Sequence, residues 1–210
     1  MQNVILGHQG GRGGVPPTRN GGLGGAFELQ NCGSRPLRGT FLEQMIRPAR
    51  PDDVPTILQL IQDLAEYERA WHEARATPEQ LQDVLFGETP SVFAHLAEHP
   101  GPDGPVAAGF ALWFLNFSTW TGRHGIYLED LYVRPELRGH GYGAALLAEL
   151  ARICVERGYA RLQWSVLDWN QPSIDFYRRL GAKPLDEWTV YRLEDEALLR
   201  LASGASHPLE

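Results

Sequence analysis

From Met45 onwards, apolar residues recur alternately at helical and at strand-like spacings. Apolar positions three and four apart predict a helix that begins near Asp52 or Asp53, and Thr77 followed by Pro78 predicts the start of a second helix. Later segments of helical spacing cover 144–157, 171–180 and 197–201. Runs rich in β-forming residues predict strands at 45–48, 91–98, 105–117, 123–134, 160–167 and 187–193. This order of elements predicts an α+β fold in which helices flank a mixed sheet.

The first 44 residues differ in composition from the rest of the chain. Eleven of them are glycine, with a Pro-Pro pair among them, so few side chains there can pack. We therefore expect 1–44 to be a flexible tail, 45–201 to form one domain and 202–210 to be a short C-terminal tail.

Charge and composition limit the classes of partner that this chain could bind. The net charge is −7, and the residues after the tail carry all of the excess acid. An acidic body argues against nucleic acid or an anionic membrane as a partner and suits a cationic substrate. The two cysteines and seven scattered histidines show no metal-ligand spacing, and no apolar run is long enough to span a membrane. We expect a cytoplasmic protein without a metal site.

A glycine-rich turn follows the predicted strand that ends at Val133. Gly139, Gly141 and Gly143 alternate there, immediately before a predicted helix, so backbone N–H groups and a helix N-terminus would form a phosphate cradle. The spacing also satisfies a variant of the dinucleotide-binding fingerprint. That reading is disfavoured because the turn follows the fourth strand and only 67 residues remain after Gly143. A purely structural tight turn is the other alternative.

The sequence Arg138-x-x-Gly141-x-Gly143 resembles the acetyl-CoA-binding motif of the GNAT N-acetyltransferase superfamily. The block from Asp168 to Ala182, together with Leu128-Glu129-Asp130, resembles the spermidine/spermine and thialysine acetyltransferase branch. The resemblance covers roughly 45–201. It implies a GNAT-type mixed sheet that splays open, acetyl-CoA as cofactor and a homodimer.

The resemblance also implies a cofactor site. Backbone N–H groups of the glycine turn would hold the pyrophosphate, and the strand before it would hydrogen-bond the pantetheine through its backbone. Asn170 would both cap a helix and touch the cofactor. The full expected cofactor set is Leu131, Tyr132, Val133, Arg138, Gly139, His140, Gly141, Tyr142, Gly143, Ala144, Asn170, Ser173 and Tyr177.

Catalytic roles follow from the same resemblance. Tyr177 would be the general acid that protonates the departing thiolate, with a place in the core as the alternative. Glu129 and Asp130 are adjacent on a strand and are expected to point to opposite faces, with Glu129 favoured as the proton acceptor over Asp130. The alternative for these two residues is that one carboxylate is at the surface and the other is in a buried ion pair. The expected acceptor site consists of Tyr67, Glu68, Glu129, Asp186 and Trp188.

The predicted activity is acetyl transfer from acetyl-CoA to the primary amine of a small cationic acceptor, by direct attack in a ternary complex. Two acceptor classes fit, namely a thialysine-like or lysine-like amino acid and a polyamine. A non-catalytic acyl-CoA-binding sensor on the same fold is the alternative from another class of function.

Overall fold

The computed structural model describes residues 45–204, and the predicted tail 1–44 lies outside the described residues. The chain divides into a first unit that ends at Phe176 and a second unit that begins at Tyr177.

The first unit contains a five-stranded sheet in the order β1-β2-β3-β4-β5. Neighbouring strands are antiparallel, except that β4 and β5 are parallel. The strands are β1 (Ile46–Pro48), β2 (Phe93–Gly101), β3 (Gly104–Ser118), β4 (Arg123–Val133) and β5 (Leu162–Trp164). The mixed sheet expected from the sequence is therefore present.

Five α-helices accompany the sheet within the described residues. They are α1 (Val54–Tyr67), α2 (Pro78–Phe86), α3 (Tyr142–Glu156), α4 (Gln171–Arg179) and α5 (Asp195–Ala202). The predicted start of α2 is confirmed, because the Thr77 hydroxyl accepts a hydrogen bond from the Gln80 N–H and the Gln80 side chain accepts one from the Thr77 N–H. This reciprocal pair satisfies two N–H groups that a helix start otherwise leaves open.

The main core lies between α1, α2 and one face of the sheet, which we call the α1 face. Its sheet residues are Ala94, Leu96, Phe110, Leu112 and Tyr132, and all of them are buried. Helix α3 contacts β2, β3 and β4, and its Glu149 side chain lies 3.9 Å from His95. Because His95 lies between Ala94 and Leu96 on β2, its side chain is on the opposite face. The sheet is thus covered on both sides where β4 ends.

The predicted strand at 187–193 is wrong. This segment has no regular secondary structure, and its Trp188, Val190 and Tyr191 side chains are exposed. A strand needs a partner for its backbone groups, and the segment pairs with no other strand among the described residues. Alternating apolar residues and β-forming side chains favour a strand within a paired sheet, but they do not supply the neighbouring strand.

Candidate active site

The turn between β4 and α3 presents free backbone N–H groups. Gly139 and Gly141 adopt φ values of 83° and 88°, in the left-handed region that favours glycine. Helix α3 begins directly after Gly141, and its first backbone bond runs from the Ala145 N–H to the Gly141 carbonyl at 3.0 Å. The N–H groups of the first turn thus lack intrahelical acceptors. No side chain caps this end and no acidic residue lies in the first turn, so its positive dipole end is uncompensated by the protein.

Arg138 precedes these glycines and is held by the protein on several sides. Its Nε donates to the Val133 carbonyl at 3.0 Å, and its guanidinium carbon lies 5.0 Å from the ring centre of Tyr67 and 5.8 Å from that of Tyr132. Nη2 of Arg138 is buried without a hydrogen-bond partner among the residues that the structure describes. The expected cofactor residue Arg138 therefore lies against the expected acceptor residue Tyr67.

Trp169 joins this cluster, although no separate role is predicted for it from the sequence. Its ring stacks on Tyr67 at 6.2 Å between centroids, and 58% of the side chain is exposed. Tyr67 thus lies between a guanidinium and an indole. The only sequence signal for Trp169 was its place in the block that resembles the acetyltransferase branch.

Two other expected cofactor residues, His140 on the turn and Tyr142 at the start of α3, use their side chains for hydrogen bonds within the protein. The Tyr142 hydroxyl lies 2.7 Å from Nδ1 of His99, and burial raises the Tyr142 pKa. Nδ1 of His140 lies 3.2 Å from the carbonyl oxygens of Leu137 and Arg138, so this nitrogen is the donor. Any contact of Tyr142 with a phosphate in this cradle would therefore use its backbone N–H.

The sheet opens next to the turn. Pairing between β4 and β5 covers only three residues and ends at Leu128, opposite Trp164. Beyond that point β4 pairs with β3 alone among the described strands, with Leu131 opposite Ala111. The expected splayed sheet is confirmed, and the gap lies beside Leu131, Tyr132 and Val133.

A β-bulge places the two adjacent carboxyl groups. Leu112 pairs with Asp130 and Trp113 pairs with Leu128, so Glu129 is an extra residue on β4. Since Leu112 and Trp113 point to opposite faces, Leu128 and Asp130 also do, although they are two residues apart. Simple alternation therefore does not hold across this bulge, and the opposite orientation of Glu129 and Asp130 stays a prediction. The inserted residue shifts the period-two pattern and leaves Asp130 on the α1 face.

Asp130 is the most perturbed carboxyl group of this region. It is 2% exposed, and its Oδ1 has no hydrogen-bond partner within residues 45–204. Burial raises the Asp130 pKa well above its ordinary value, and the negative charges of Glu129 and Glu68 raise it further. Glu68 comes from the end of α1, so helix and strand bring three carboxyl groups close together around Asp130.

Asn170 and Ser173 form the start of α4. Both are fully buried, and the Asn170 side-chain oxygen accepts from the Ser173 N–H at 3.4 Å. The predicted helix cap is confirmed.

The second unit contains the remaining expected site residues. Tyr177 is 4% exposed, and burial raises its pKa well above the ordinary tyrosine value. Asp186 and Trp188 lie on the surface of this unit.

Cys154 is buried, its Sγ donates to the Arg161 carbonyl at 3.6 Å, and burial raises its pKa, so it is a poor nucleophile. No group of three metal-ligating side chains occurs between residues 45 and 204. In the same range, every helix is too short or too polar to cross a membrane.

Comparison with known proteins identifies consistent relatives. The model of the "Acetyltransferase (GNAT) family" matches residues 57–182. Thialysine N-epsilon-acetyltransferase of Bos taurus is 42% identical over 165 residues, which cover 75% of this chain and 96% of that protein. L-ornithine N5-acetyltransferase of Arabidopsis thaliana is 31% identical, covering 73% of this chain and 85% of that protein. A solved integron cassette protein from the mobile metagenome of V. cholerae superposes with a TM-score of 0.61 at 26% identity, covering 75% of this chain and 96% of that one.

Proposed function

The chain belongs to the acetyltransferase (GNAT) family, and from this premise we propose that it transfers an acetyl group from acetyl-CoA to the primary amine of a small cationic acceptor. The acceptor is a thialysine-like or lysine-like amino acid or a polyamine. The observation that carries the proposal is the uncapped N-terminus of α3 near one end of β4, with three carboxyl groups close together beside the same strand.

The residues present fit acetyl-CoA. A Cβ built on Gly139 would meet no heavy atom within 4 Å, so the turn is open to a phosphate group. The N–H groups of residues 139–144 would hold the pyrophosphate, with the positive end of α3 behind them. Backbone groups of Leu131 and Val133, at the gap between β4 and β5, would bind the pantetheine, and the buried guanidinium of Arg138 adds positive charge nearby.

The carboxyl groups would receive the acceptor and its proton. Bound acetyl-CoA supplies a thioester carbonyl, which a neutral amine attacks. Glu129 is half-buried and takes the proton of the acceptor ammonium, directly or through water. Glu68 attracts the cation and holds it beside Glu129, and a bound cation would lower the raised pKa of Asp130 and so favour its charged form. Tyr67, Asp186 and Trp188 are proposed as further acceptor contacts.

Tyr177 is proposed as the acid that protonates the leaving thiolate. Its raised pKa keeps the hydroxyl protonated at neutral pH, which an acid requires. Transfer would be direct, without an acyl-enzyme at Cys154. Replacing Tyr177 by Phe should lower kcat by about 10²–10⁴-fold and leave the Kd for acetyl-CoA unchanged. An unchanged kcat for thiol release would remove Tyr177 from the mechanism.

A matched glycine pair tests the cradle. Gly139 and Gly158 both have positive φ, and a Cβ on either would meet no heavy atom within 4 Å. Alanine at each position should cost roughly 1–2 kcal/mol of stability. Only Gly139→Ala should also weaken acetyl-CoA binding in calorimetry, by about tenfold or more, because its methyl group would project into the cradle. Equal affinities in the two variants would contradict this placement of the cofactor.

We also propose a homodimer. Exposed apolar side chains are frequent in the second unit, among them Trp188, Val190, Tyr191, Leu199 and Leu201. Such a surface is typical of a protein–protein interface. Sedimentation equilibrium should give twice the chain mass, and Leu199→Asp should give the monomer. A cytoplasmic location stays a prediction from the sequence.

A further inference from the structure

The turn between β4 and α3 is contacted from strand β2. His99 lies near the end of β2, and His140 and Tyr142 lie on either side of Gly141; we call these three side chains the three-ring cluster. The ring centroid of His99 lies 6.0 Å from that of His140 and 6.0 Å from that of Tyr142. The rings of His140 and Tyr142 are stacked at 6.3 Å. The acetyl transfer proposed above gives no role to His99.

A hydrogen bond joins His99 to the first residue of α3. Nδ1 of His99 lies 2.7 Å from the Tyr142 hydroxyl, and the two residues are 43 positions apart in the sequence. Tyr142 is 4% exposed, and burial raises the pKa of its hydroxyl. The hydroxyl therefore keeps its proton at neutral pH and donates it to Nδ1 of a neutral His99 ring, whose own proton is then on Nε2.

His140 connects the turn to itself. Its Nδ1 donates to the carbonyl oxygens of Leu137 and Arg138, both at 3.2 Å, and these residues are no more than three positions away. The ring of His140 also meets that of His99 edge-on, at an interplanar angle of 70°. The turn is thus held by bonds of its own and by contacts with β2.

The glycines make this support from outside the turn necessary. Gly139 and Gly141 have positive φ, a region that glycine enters without steric cost but does not prefer strongly over others. Backbone N–H groups bind a phosphate best when they already point towards it, because ordering them on binding lowers the affinity. Tyr142 follows Gly141 directly and begins α3, so fixing the Tyr142 side chain restricts both its own N–H and the N-terminus of the helix.

Strand β2 is a firm support for this purpose. His99 pairs with Val106 of β3, and the strand pairing continues to Gly101 opposite Gly104. Further back on β2, His95 lies 3.9 Å from Glu149, about two turns along α3. The sheet therefore contacts α3 both at its first residue and in its middle.

Resting on the proposed function, we infer that His99 is a positioning residue for the cofactor. Its bond to Tyr142 holds the N-terminus of α3 and the N–H groups at Gly141 and Tyr142 in the orientation that binds the pyrophosphate of acetyl-CoA. His99 acts through Tyr142 and lies outside the reacting centre. Its loss should therefore weaken cofactor binding and leave the transfer step unchanged.

Calorimetric binding of CoA to the full-length protein tests this inference. His99→Ala should raise the Kd for CoA about five- to tenfold, because the turn must then become ordered on binding. The fraction of protein that binds should not change. A merely structural loss would instead lower that fraction and leave the Kd of the folded remainder at the wild-type value. His99→Asn, whose Oδ1 can accept from the Tyr142 hydroxyl, should keep the Kd within about twofold of the wild type.

Matched variants identify the bond. Tyr142→Phe should weaken CoA binding by a similar factor, and the double variant with His99→Ala should bind no more weakly than either single variant, because all three lack the same bond. His124→Ala is the control. Nδ1 of His124 lies 3.2 Å from the Asn116 carbonyl oxygen and its ring contacts that of Tyr159, but it lies near the start of β4, away from the turn. Its loss should leave the Kd for CoA unchanged.

Two acyl donors show which part of the cofactor is affected. S-acetylpantetheine carries the thioester and the pantetheine arm but no pyrophosphate. With thialysine as acceptor, His99→Ala should raise the KM for acetyl-CoA about five- to tenfold and keep kcat within about twofold. The kcat/KM for S-acetylpantetheine should change by less than about twofold.

The outcomes also distinguish the two proposals. An unchanged Kd in His99→Ala, additive losses in the double variant, or an equal loss with S-acetylpantetheine would overturn the positioning role while acetyl transfer stands. If thialysine, lysine and spermidine all fail to release CoA thiol above background but His99→Ala still weakens CoA binding, the proposed transfer fails and the positioning role stands. A wild type that does not bind CoA would overturn both.

Discussion

Among single residues, Asp130 is expected to have opposite effects on stability and on activity. Its carboxyl group should destabilise the fold at high pH and increase kcat/KM for a cationic acceptor. Its pKa is raised in the folded chain, first by burial and then by Glu129 and Glu68, so folding favours the protonated carboxyl. The contribution of Asp130 to the free energy of unfolding is therefore fully present at low pH. It is lost as the pH rises from about 4 through the pKa of Asp130 in the folded state. Asp130→Asn removes this loss. It should raise the free energy of unfolding at pH 8 by roughly 1–3 kcal/mol and lower kcat/KM for a cationic acceptor.

Urea unfolding at pH 4, 6 and 8 checks this prediction for Asp130→Asn. The stabilisation should shrink towards pH 4, where the wild-type carboxyl is protonated in the folded state and about half protonated in the unfolded state. Asp103→Asn, in an exposed turn, serves as the control and should stay within about 0.5 kcal/mol of the wild type at each pH. A destabilised Asp130→Asn at pH 8 would mean that the carboxylate has a stabilising partner.

On the other face of the sheet, the pKa of His95 is shifted in the opposite direction, downwards. It is 6% exposed, and its Nδ1 accepts from the Trp113 indole at 3.1 Å. Burial lowers the His95 pKa, with Glu149 opposing this shift and Arg152 adding to it. A lowered folded pKa means that stability is complete above about pH 6.5 and falls as the unfolded state takes up a proton.

Replacing His95 by Gln should therefore flatten the fall in unfolding free energy between pH 7 and pH 5. His72→Gln changes an exposed histidine and should keep the wild-type slope. The two slopes are measured by urea denaturation under identical conditions. A wild-type slope in His95→Gln would show that other groups cause the acid sensitivity.

At the scale of elements, the position of β4 beside the gap depends on the close approach of the β3 backbone at Gly109. A Cβ on Gly109 of β3 would lie 2.2 Å from the Tyr132 carbonyl oxygen, so Gly109→Ala must displace β4 near Leu131 and Val133. We expect a loss of roughly 1–3 kcal/mol of stability and weaker acetyl-CoA binding in calorimetry. Thr77→Ala removes the cap of α2 and should lose about 1 kcal/mol without changing that affinity. Unchanged affinity in Gly109→Ala would separate the gap from cofactor binding.

Elements with local signals were predictable, and those that depend on a partner were not. Thr77 with Pro78 places α2, and the alternating glycines place the turn before α3, because caps and left-handed residues are properties of a few neighbours. The bulge at Glu129 has no such signal, since it exists only relative to β3. The same holds for the contact between the hydroxyl groups of Tyr127 and Ser165, which are far apart in sequence and meet through the register of β4 and β5.

For the whole molecule, charge and site agree in sign. The chain carries −7, and the carboxylates of Glu68 and Glu129 add negative potential beside Asp130, where the acceptor would bind. A cationic acceptor should therefore be attracted over long distances. Dissolved salt screens this attraction, because the Debye length is about 10 Å at 0.1 M ionic strength. Raising NaCl from 20 to 200 mM should lower kcat/KM several-fold for a diamine and less for lysine, because lysine carries one net charge.

Acetyl-CoA supplies the internal comparison in the same assay. Its negative charge is repelled by the acidic body, while the N–H groups of the turn, the end of α3 and the Arg138 guanidinium attract it at short range. Its KM should fall or stay constant over the salt range in which the diamine KM rises. Salt dependences of equal sign for the two substrates would indicate a general effect on the enzyme, and the acidic acceptor site would then lose its support at this scale.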